Sequence, residues 1–332
     1  MLKRILILAT LAAAVSSVAV EAQAEKLRMG RTRGISQVVG LVAEEKGYFK
    51  EQGLEVEYKS VPRGNVALQA MAGGNLDFAE SAHAPFLAAV SRGVPLLSVG
   101  VVSRGFLGKM VAAPKNANLK TLADFKGKRI GIQVGTGVHT VVLMLLQKEG
   151  LDPKDFDFAN IRVVDMPAAM AAPGNTFDAV IGWEPGMTRI VQSGHGKMII
   201  EANEFEKQAK ITYPFLLSTT ETFNKEHPDI VQKVVNAYAK GQKFVRDHKD
   251  EAVKIFTDAA KKRGGKLSEE TVKLMMFDTD RFGGVNFTAG DLEDLPSTRD
   301  FMIKIGKLKK SPDLDKALNQ SYAKKAEQAL TH

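Results

Sequence analysis

Between Lys26 and Ile200 the hydrophobic period of this chain keeps switching between 2 and 3.6 residues, and the whole cycle runs twice. Short apolar runs of strand length alternate with segments of helical spacing, each closed by glycine. That alternation predicts βαβ units and a mainly parallel sheet with helices on its faces. In the first cycle, strands are expected at 26–31, 54–60, 78–81 and 96–102, and helices at 37–52, 65–71 and 85–92. Gly53 is a C-cap for the first helix, and Asn65 caps the second. The pattern restarts after Ser103, with strands at 109–113, 129–134, 161–164, 177–183 and 198–200. Helical segments fall at 121–125, 138–148, 166–172 and 187–192. Beyond Tyr213-Pro214 one strand candidate, 215–218, is followed by helices at 228–248, 251–262, 268–277 and 291–307. In the first of these Ile230, Val231, Val234, Val235, Tyr238 and Val245 share one face, behind a proline at the first turn. The sequence therefore reads as two α/β lobes and a helical tail that cannot stand alone.

Two stretches mark equivalent places in the lobes: Gly74 to Pro85 (GNLDFAESAHAP) and Gly174 to Pro185 (GNTFDAVIGWEP). Each is expected to run from a Gly-Asn turn through a strand to a proline that starts the next helix. The residues before each proline then lie at the carboxyl end of a strand. In open α/β sheets ligands bind there, and helix N–H groups favour anions.

Length and composition are those of an ordinary globular chain. The 332 residues suffice for two cores, and 44% are hydrophobic and 25% charged. There is no cysteine, hence no disulfide, no thiolate metal site, no cysteine nucleophile and no lipid attachment at one. Met1 to Arg4 is basic, residues 5–20 are apolar or small, and Ala22-Gln23-Ala24 is a small-x-small cleavage pattern. Residues 1–24 are thus expected to be a secretory signal peptide cut after Ala24, too short to span a bilayer. The mature chain is expected to be soluble and exported. Removing Lys3, Arg4 and Glu21 takes the net charge from +8 to +7. No basic run with interleaved aromatics marks a nucleic-acid site.

Five strand-end loops carry the candidate chemistry: Arg31-Thr32-Arg33-Gly34-Ile35, Glu80-Ser81-Ala82-His83, Arg104-Gly105-Phe106, Gly135-Thr136-Gly137-Val138-His139 and Gly182-Trp183-Glu184. Facing lobes would bring them to one cleft. The arginines and Thr136 suit an anion, the histidines hydrogen bonding, and Phe106 and Trp183 apolar walls. The glycine loop at 131–137 matches neither dinucleotide nor P-loop spacing. Glu80 with Glu184 as an acid/base pair, or His83 and His139 with either as zinc ligands, are the enzymatic and metal alternatives. No H-E-x-x-H or G-x-S-x-G spacing supports them.

Several of these segments together resemble the substrate-binding proteins of bacterial ABC importers, of the nitrate/sulfonate/taurine type. Residues 45–49 with 53–56 are similar to that family's first helix and second strand. Residues 67–77 resemble its A-L-x-A-x-A-x-G-x-x-D stretch. Residues 122–131 (LADFKGKRIG) are similar to its L-x-D-L-K-G-K-x-I hallmark, with Phe125 for leucine. Residues 177–185 (FDAVIGWEP) are similar to its D-A-x-x-x-W-x-P hallmark.

The resemblance implies a type II periplasmic-binding-protein fold with a hinge of two crossovers, near 102–108 and 212–215. One lobe would comprise 25–107 and 215–332, and the other 108–214. It also implies a monomer without cofactor or catalysis, which closes on a small ligand and docks on a permease with its ATPase. The site residues it implies are those from Arg31 to Ile35, Ser81 to His83, Thr136 to Val138, and Trp183 with Glu184. The ligand expected is a small organic sulfonate or carboxylate. Glu80 and Glu184, one per lobe, suggest a second, cationic end, as in a taurine-like zwitterion. A binding protein or enzyme for pyrimidine or thiamine precursors on the same fold is the alternative.

Overall fold

The computed structural model describes residues 24–32, 34–277 and 279–331. The expected signal peptide, apart from Ala24, and Arg33 lie outside them. Ten strands form two five-stranded sheets. The strands are β1 (Glu25–Arg31), β2 (Leu54–Ser60), β3 (Phe78–Ala82), β4 (Leu96–Ser103), β5 (Lys109–Ala112), β6 (Arg129–Ile132), β7 (Asp157–Asn160), β8 (Ala179–Gly182), β9 (Lys197–Ile200) and β10 (Phe215–Thr220). The first sheet has the order β2-β1-β3-β10-β4 and the second β7-β6-β8-β5-β9. β1 pairs in parallel with β2 and β3, and β6 with β7 and β8. β10 is antiparallel to β3 and β4, and β5 is antiparallel to β8 and β9. Four strands of each sheet thus share one direction. The fifth opposes them, and it is the strand that arrives directly from the other sheet.

The chain passes between sheets through 104–108 and again through 210–214. The two passages are tied together where the Gly105 N–H donates to the Thr212 carbonyl at 2.8 Å. The first sheet is covered by helices Val38–Glu45 and Pro228–Asp247 on one face, and by Gly64–Ala72, His83–Ser91 and Ala289–Lys304 on the other. The tail returns to this sheet. Asn319 N–H donates to Ser98 O at 2.9 Å, and helix Ser321–Ala329 packs on helix Pro228–Asp247.

The two Gly-Asn stretches share a device that their aligned identities hide. Gly74 and Gly174 both take left-handed φ, 73° and 76°. After each, an aspartate pins the following strand to its parallel neighbour. Asp77 N–H donates to Arg28 O, and the Asp77 carboxylate accepts from Arg28 N–H at 2.7 Å. Asp178 N–H donates to Arg129 O, and its carboxylate accepts from Arg129 N–H at 2.9 Å. The prolines are not equivalent: Pro85 sits inside the first turn of helix His83–Ser91, whereas Pro185 precedes helix Gly186–Gln192.

Two expected elements differ, and two short helices near the C-terminus were not expected. The helix expected over 37–52 breaks at Gly47, whose φ of 76° interrupts it between Val38–Glu45 and Tyr48–Glu51. The strand expected over 161–164 lies at β7 instead. The Gln133 side chain draws the Val163 N–H out of register, and a 3-10 turn forms over Val163–Asp165. The short tail helices Leu314–Ala317 and Ser321–Ala329 were not legible as separate elements.

Candidate functional site

A pocket lies between the sheets, with an empty volume of about 530 Å3 counting its open mouth. Its walls come from the segment after β1 (Thr32, Gly34, Ser36), the start of helix Gly64–Ala72 (Arg63, Gly64, Asn65) and the end of β3 (Ala82, Pro85). The first passage adds Leu107, and the second adds Tyr213 and Phe215. The second sheet contributes Gly135 to Val138 and Trp183. The mixture of apolar walls with few polar groups suits a small ligand.

Two helix starts face each other here. Helix Gly64–Ala72 begins after Arg63 and helix Gly137–Lys148 after Thr136. The N–H groups of Gly64, Asn65, Gly137 and Val138 find no acceptor among the described residues. Unsatisfied helix N–H groups carry partial positive charge and suit an anion. The Thr136 hydroxyl caps the second helix by accepting from His139 N–H at 3.2 Å. Glycine at 137 is required by close approach: a Cβ there would collide with the Tyr213 hydroxyl and lie 3.0 Å from the Ala82 Cβ.

Among the described residues of the lining, Arg63 is the one that carries a charge. It is half-buried and makes no hydrogen bond or ion pair with any described residue. Among the described residues no aspartate or glutamate lines the pocket. The excess of positive charge is therefore local, not a consequence of the chain's net charge.

Of the expected site residues, the structure brings Thr32, Gly34, Ala82, Gly135, Thr136, Gly137, Val138 and Trp183 to the pocket. Arg33 lies outside the described residues, and the following do not line the pocket, for identifiable reasons. Arg31 pairs with Glu44 at 3.1 Å and lies over the Tyr58 ring. Glu80 is buried beneath helices Val38–Glu45 and Pro228–Asp247 and accepts from the Tyr238 hydroxyl at 2.5 Å. Burial pushes its carboxyl pKa up to about 7, against the hydrogen bond from Tyr238 and the charge of Arg31. Ser81 is fully buried.

His83 Nε2 meets the Thr298 hydroxyl at 3.1 Å, and burial lowers its pKa, favouring the neutral ring. Arg104 donates to Asp291 at 2.8 Å and to the Gly284 and Asn286 carbonyls. Phe106 is a core side chain packed edge-on against Phe205 and Tyr213. Burial also lowers the His139 pKa, to about 4, and its side chain faces away from the pocket toward Leu143 and Lys307. Glu184 accepts from the Thr188 N–H at 3.0 Å and hydroxyl at 2.7 Å, and pairs with Lys109 at 3.1 Å.

Glu80 and Glu184 are both engaged inside their own halves, so the charge placement that suggested a cationic ligand end does not exist at the pocket. Among the described residues no group of three or more His, Asp or Glu is arranged to hold a metal ion.

Arg63, Asn65, Tyr213 and Phe215 were not expected. Pro62 to Asn65 follow β2 directly, so the strand-end rule that selected the other loops applies to them equally. Tyr213 had been read only as a boundary. It takes φ 51°, a left-handed conformation costly for a non-glycine residue. Its N–H is held by the buried Asp294 carboxylate at 2.8 Å. Asp291, one turn earlier on the same helix, holds Arg104 of the first passage. One helix thereby fixes both passages.

Comparison with known proteins agrees with this architecture. An aliphatic sulfonates-binding protein of Bacillus subtilis, so named provisionally, is 22% identical over 308 residues, covering 92% of this chain and 89% of that protein. A Haemophilus influenzae protein named for thiamine biosynthesis is 32% identical over 142 residues, 43% of this chain and 44% of that one. The alkanesulfonate-binding protein SsuA from Xanthomonas axonopodis pv. citri, solved bound to MOPS, superposes with a TM-score of 0.75 at 20% identity, covering 90% of this chain and 99% of that one. The fold is thus the type II periplasmic-binding-protein fold, and the chain is distantly similar to proteins named for aliphatic sulfonate and taurine binding. The family described as NMT1/THI5 like matches residues 37–252, well over half of the sequence, and the chain belongs to that family.

Proposed function

We propose that the chain is the solute-binding component of an ABC import system and captures a small organic anion, a sulfonate or carboxylate, between its lobes. The lobes are 25–107 with 215–332, and 108–214. The anionic head sits against Arg63 and the N–H groups of Gly64, Asn65, Gly137 and Val138. The apolar body lies on Trp183, Tyr213 and Phe215. The observation that carries this reading is the unpaired Arg63 in a lining without a carboxylate. The chain acts in the periplasm by capture without turnover and delivers its ligand to a permease. The distant sulfonate-binding relatives support this, although the family also includes enzymes.

A panel of sulfonates, carboxylates, nitrate, amines and pyrimidines, read by thermal shift and then calorimetry, tests the proposal. An organic anion is expected to raise the melting temperature, and Arg63→Gln to weaken it at least tenfold while the apo protein melts as before. A charge-assisted hydrogen bond contributes that much. Binding unaffected by Arg63→Gln would refute the placement of the head. The thiamine-biosynthesis relative favours a second reading, a pyrimidine stacked on Trp183 or Tyr213. In that case neutral pyrimidines bind and Arg63→Gln has little effect.

A further inference from the structure

Trp183 lines the pocket on one side and a second chamber on the other. This outer chamber has an empty volume of about 840 Å3. It too lies between the two halves. Val163, Val164 and Arg189 come from around the second sheet, and Phe256, Ala260 and Arg263 from the helix Lys249–Lys262 and the turn after it. Phe256 and Val163 give it an apolar wall, and the exposed Arg189 and Arg263 stand at its rim. The indole edge reaches the loop opposite: its Cδ1 is 3.8 Å from the position a Cβ on Gly34 would take. Among the described residues Trp183 is the one that lines both spaces, and its half-buried side chain reaches from the second half toward the first.

We infer that the Trp183 indole sets the upper length of the ligand by separating the inner pocket from the outer chamber. The inference rests on the anion reading above. A ligand anchored at Arg63 ends at the indole. Without the indole, its tail continues into the outer chamber, toward a rim that bears two guanidinium groups. Longer alkyl anions are thereby excluded by one side chain, not by the shape of the whole cleft. Removing that side chain also removes a wall from short ligands, so the two classes respond in opposite directions.

Calorimetry with linear alkanesulfonates from two to eight carbons, on the wild-type chain, Trp183→Phe and Trp183→Ala, reads this directly. The wild type is expected to bind short members and lose affinity sharply as the chain lengthens. In Trp183→Ala the short members bind more than tenfold more weakly, and the preference for octanesulfonate over ethanesulfonate rises at least tenfold. Trp183→Phe falls between them and serves if the alanine variant does not fold. A loss of affinity in the same ratio for all lengths, with the apo melting temperature unchanged, overturns the gate and leaves the anion site standing. Failure of the wild type and both variants to bind any member overturns both.

Discussion

At the scale of single residues, the charged groups near the cleft divide, among the described residues, into those already engaged and Arg63, which is not. Glu80, Glu184, Arg31 and Arg104 all stood out in the sequence because their loops end strands. Each, however, has a partner supplied by a residue far away in sequence, such as Tyr238 for Glu80 or Asp291 for Arg104. Loop position was legible, and what covers each side chain was not. Glu80 and Ala82 share one face of β3, yet Ala82 lines the pocket while Glu80 meets Tyr238, and nothing local in Phe78 to Ala82 declares this. Arg63 escaped notice because its loop is read most naturally as a helix start capped by Asn65.

Glu80 supplies a pH test. Its folded pKa stands near 7 rather than the ordinary 4.5, so between those values the folded chain holds a proton that the unfolded chain has lost. Stability contributed by this group is present below pH 4.5 and is lost as pH rises to 7. Above both values the cost is on the order of 3 kcal/mol. Glu80→Gln retains an acceptor for Tyr238 and removes the titration. Urea unfolding at pH 5 and pH 8 is expected to show the variant gaining on the wild type at the higher pH. An equal difference at both values would show that Glu80 ionises normally.

At the scale of elements, strand and helix existence was largely readable from period and glycine placement. Pairing was not. The repeated Gly-Asn stretch aligned on four identities. The residue that carries the shared function, Asp77 in one lobe and Asp178 in the other, falls three positions after its glycine in the first and four in the second. What repeats is a reciprocal backbone and carboxylate bridge to the neighbouring parallel strand, a contact across 49 residues in both lobes. Asp77→Ala removes the acceptor for the Arg28 N–H and side chain. It is expected to cost roughly 1–3 kcal/mol in urea unfolding, with Asp178→Ala similar. If both variants unfold like the wild type, the bridges do not hold the strands. The strand misplaced to 161–164 has the same origin. Its apolar residues satisfy a strand pattern, but a side-chain hydrogen bond from a distant turn takes one of its N–H groups.

For the whole molecule, the two passages between sheets, the antiparallel strands they feed and the helix Ala289–Lys304 form one framework. Asp291 and Asp294 on that helix hold Arg104 and Tyr213, one residue from each passage. Tyr213 is also a wall of the pocket, so the framework that joins the halves also shapes the site. No helix of the described residues is long and apolar enough to cross a membrane. Two sheets were legible from the pattern restarting after Ser103. That the opposing strand of each sheet is the one arriving from the other lobe follows only from three-dimensional pairing. The account's central claim is that an organic anion lies between the lobes with its head at Arg63 and the two facing helix starts. A crystal structure with the strongest sulfonate or carboxylate from the binding panel tests it most directly. The account predicts head-group oxygens within hydrogen-bond distance of the Arg63 guanidinium and of the N–H groups at Gly64 or Gly137, with the body against Trp183. A head group seated elsewhere, with Arg63 still unpartnered, would contradict it.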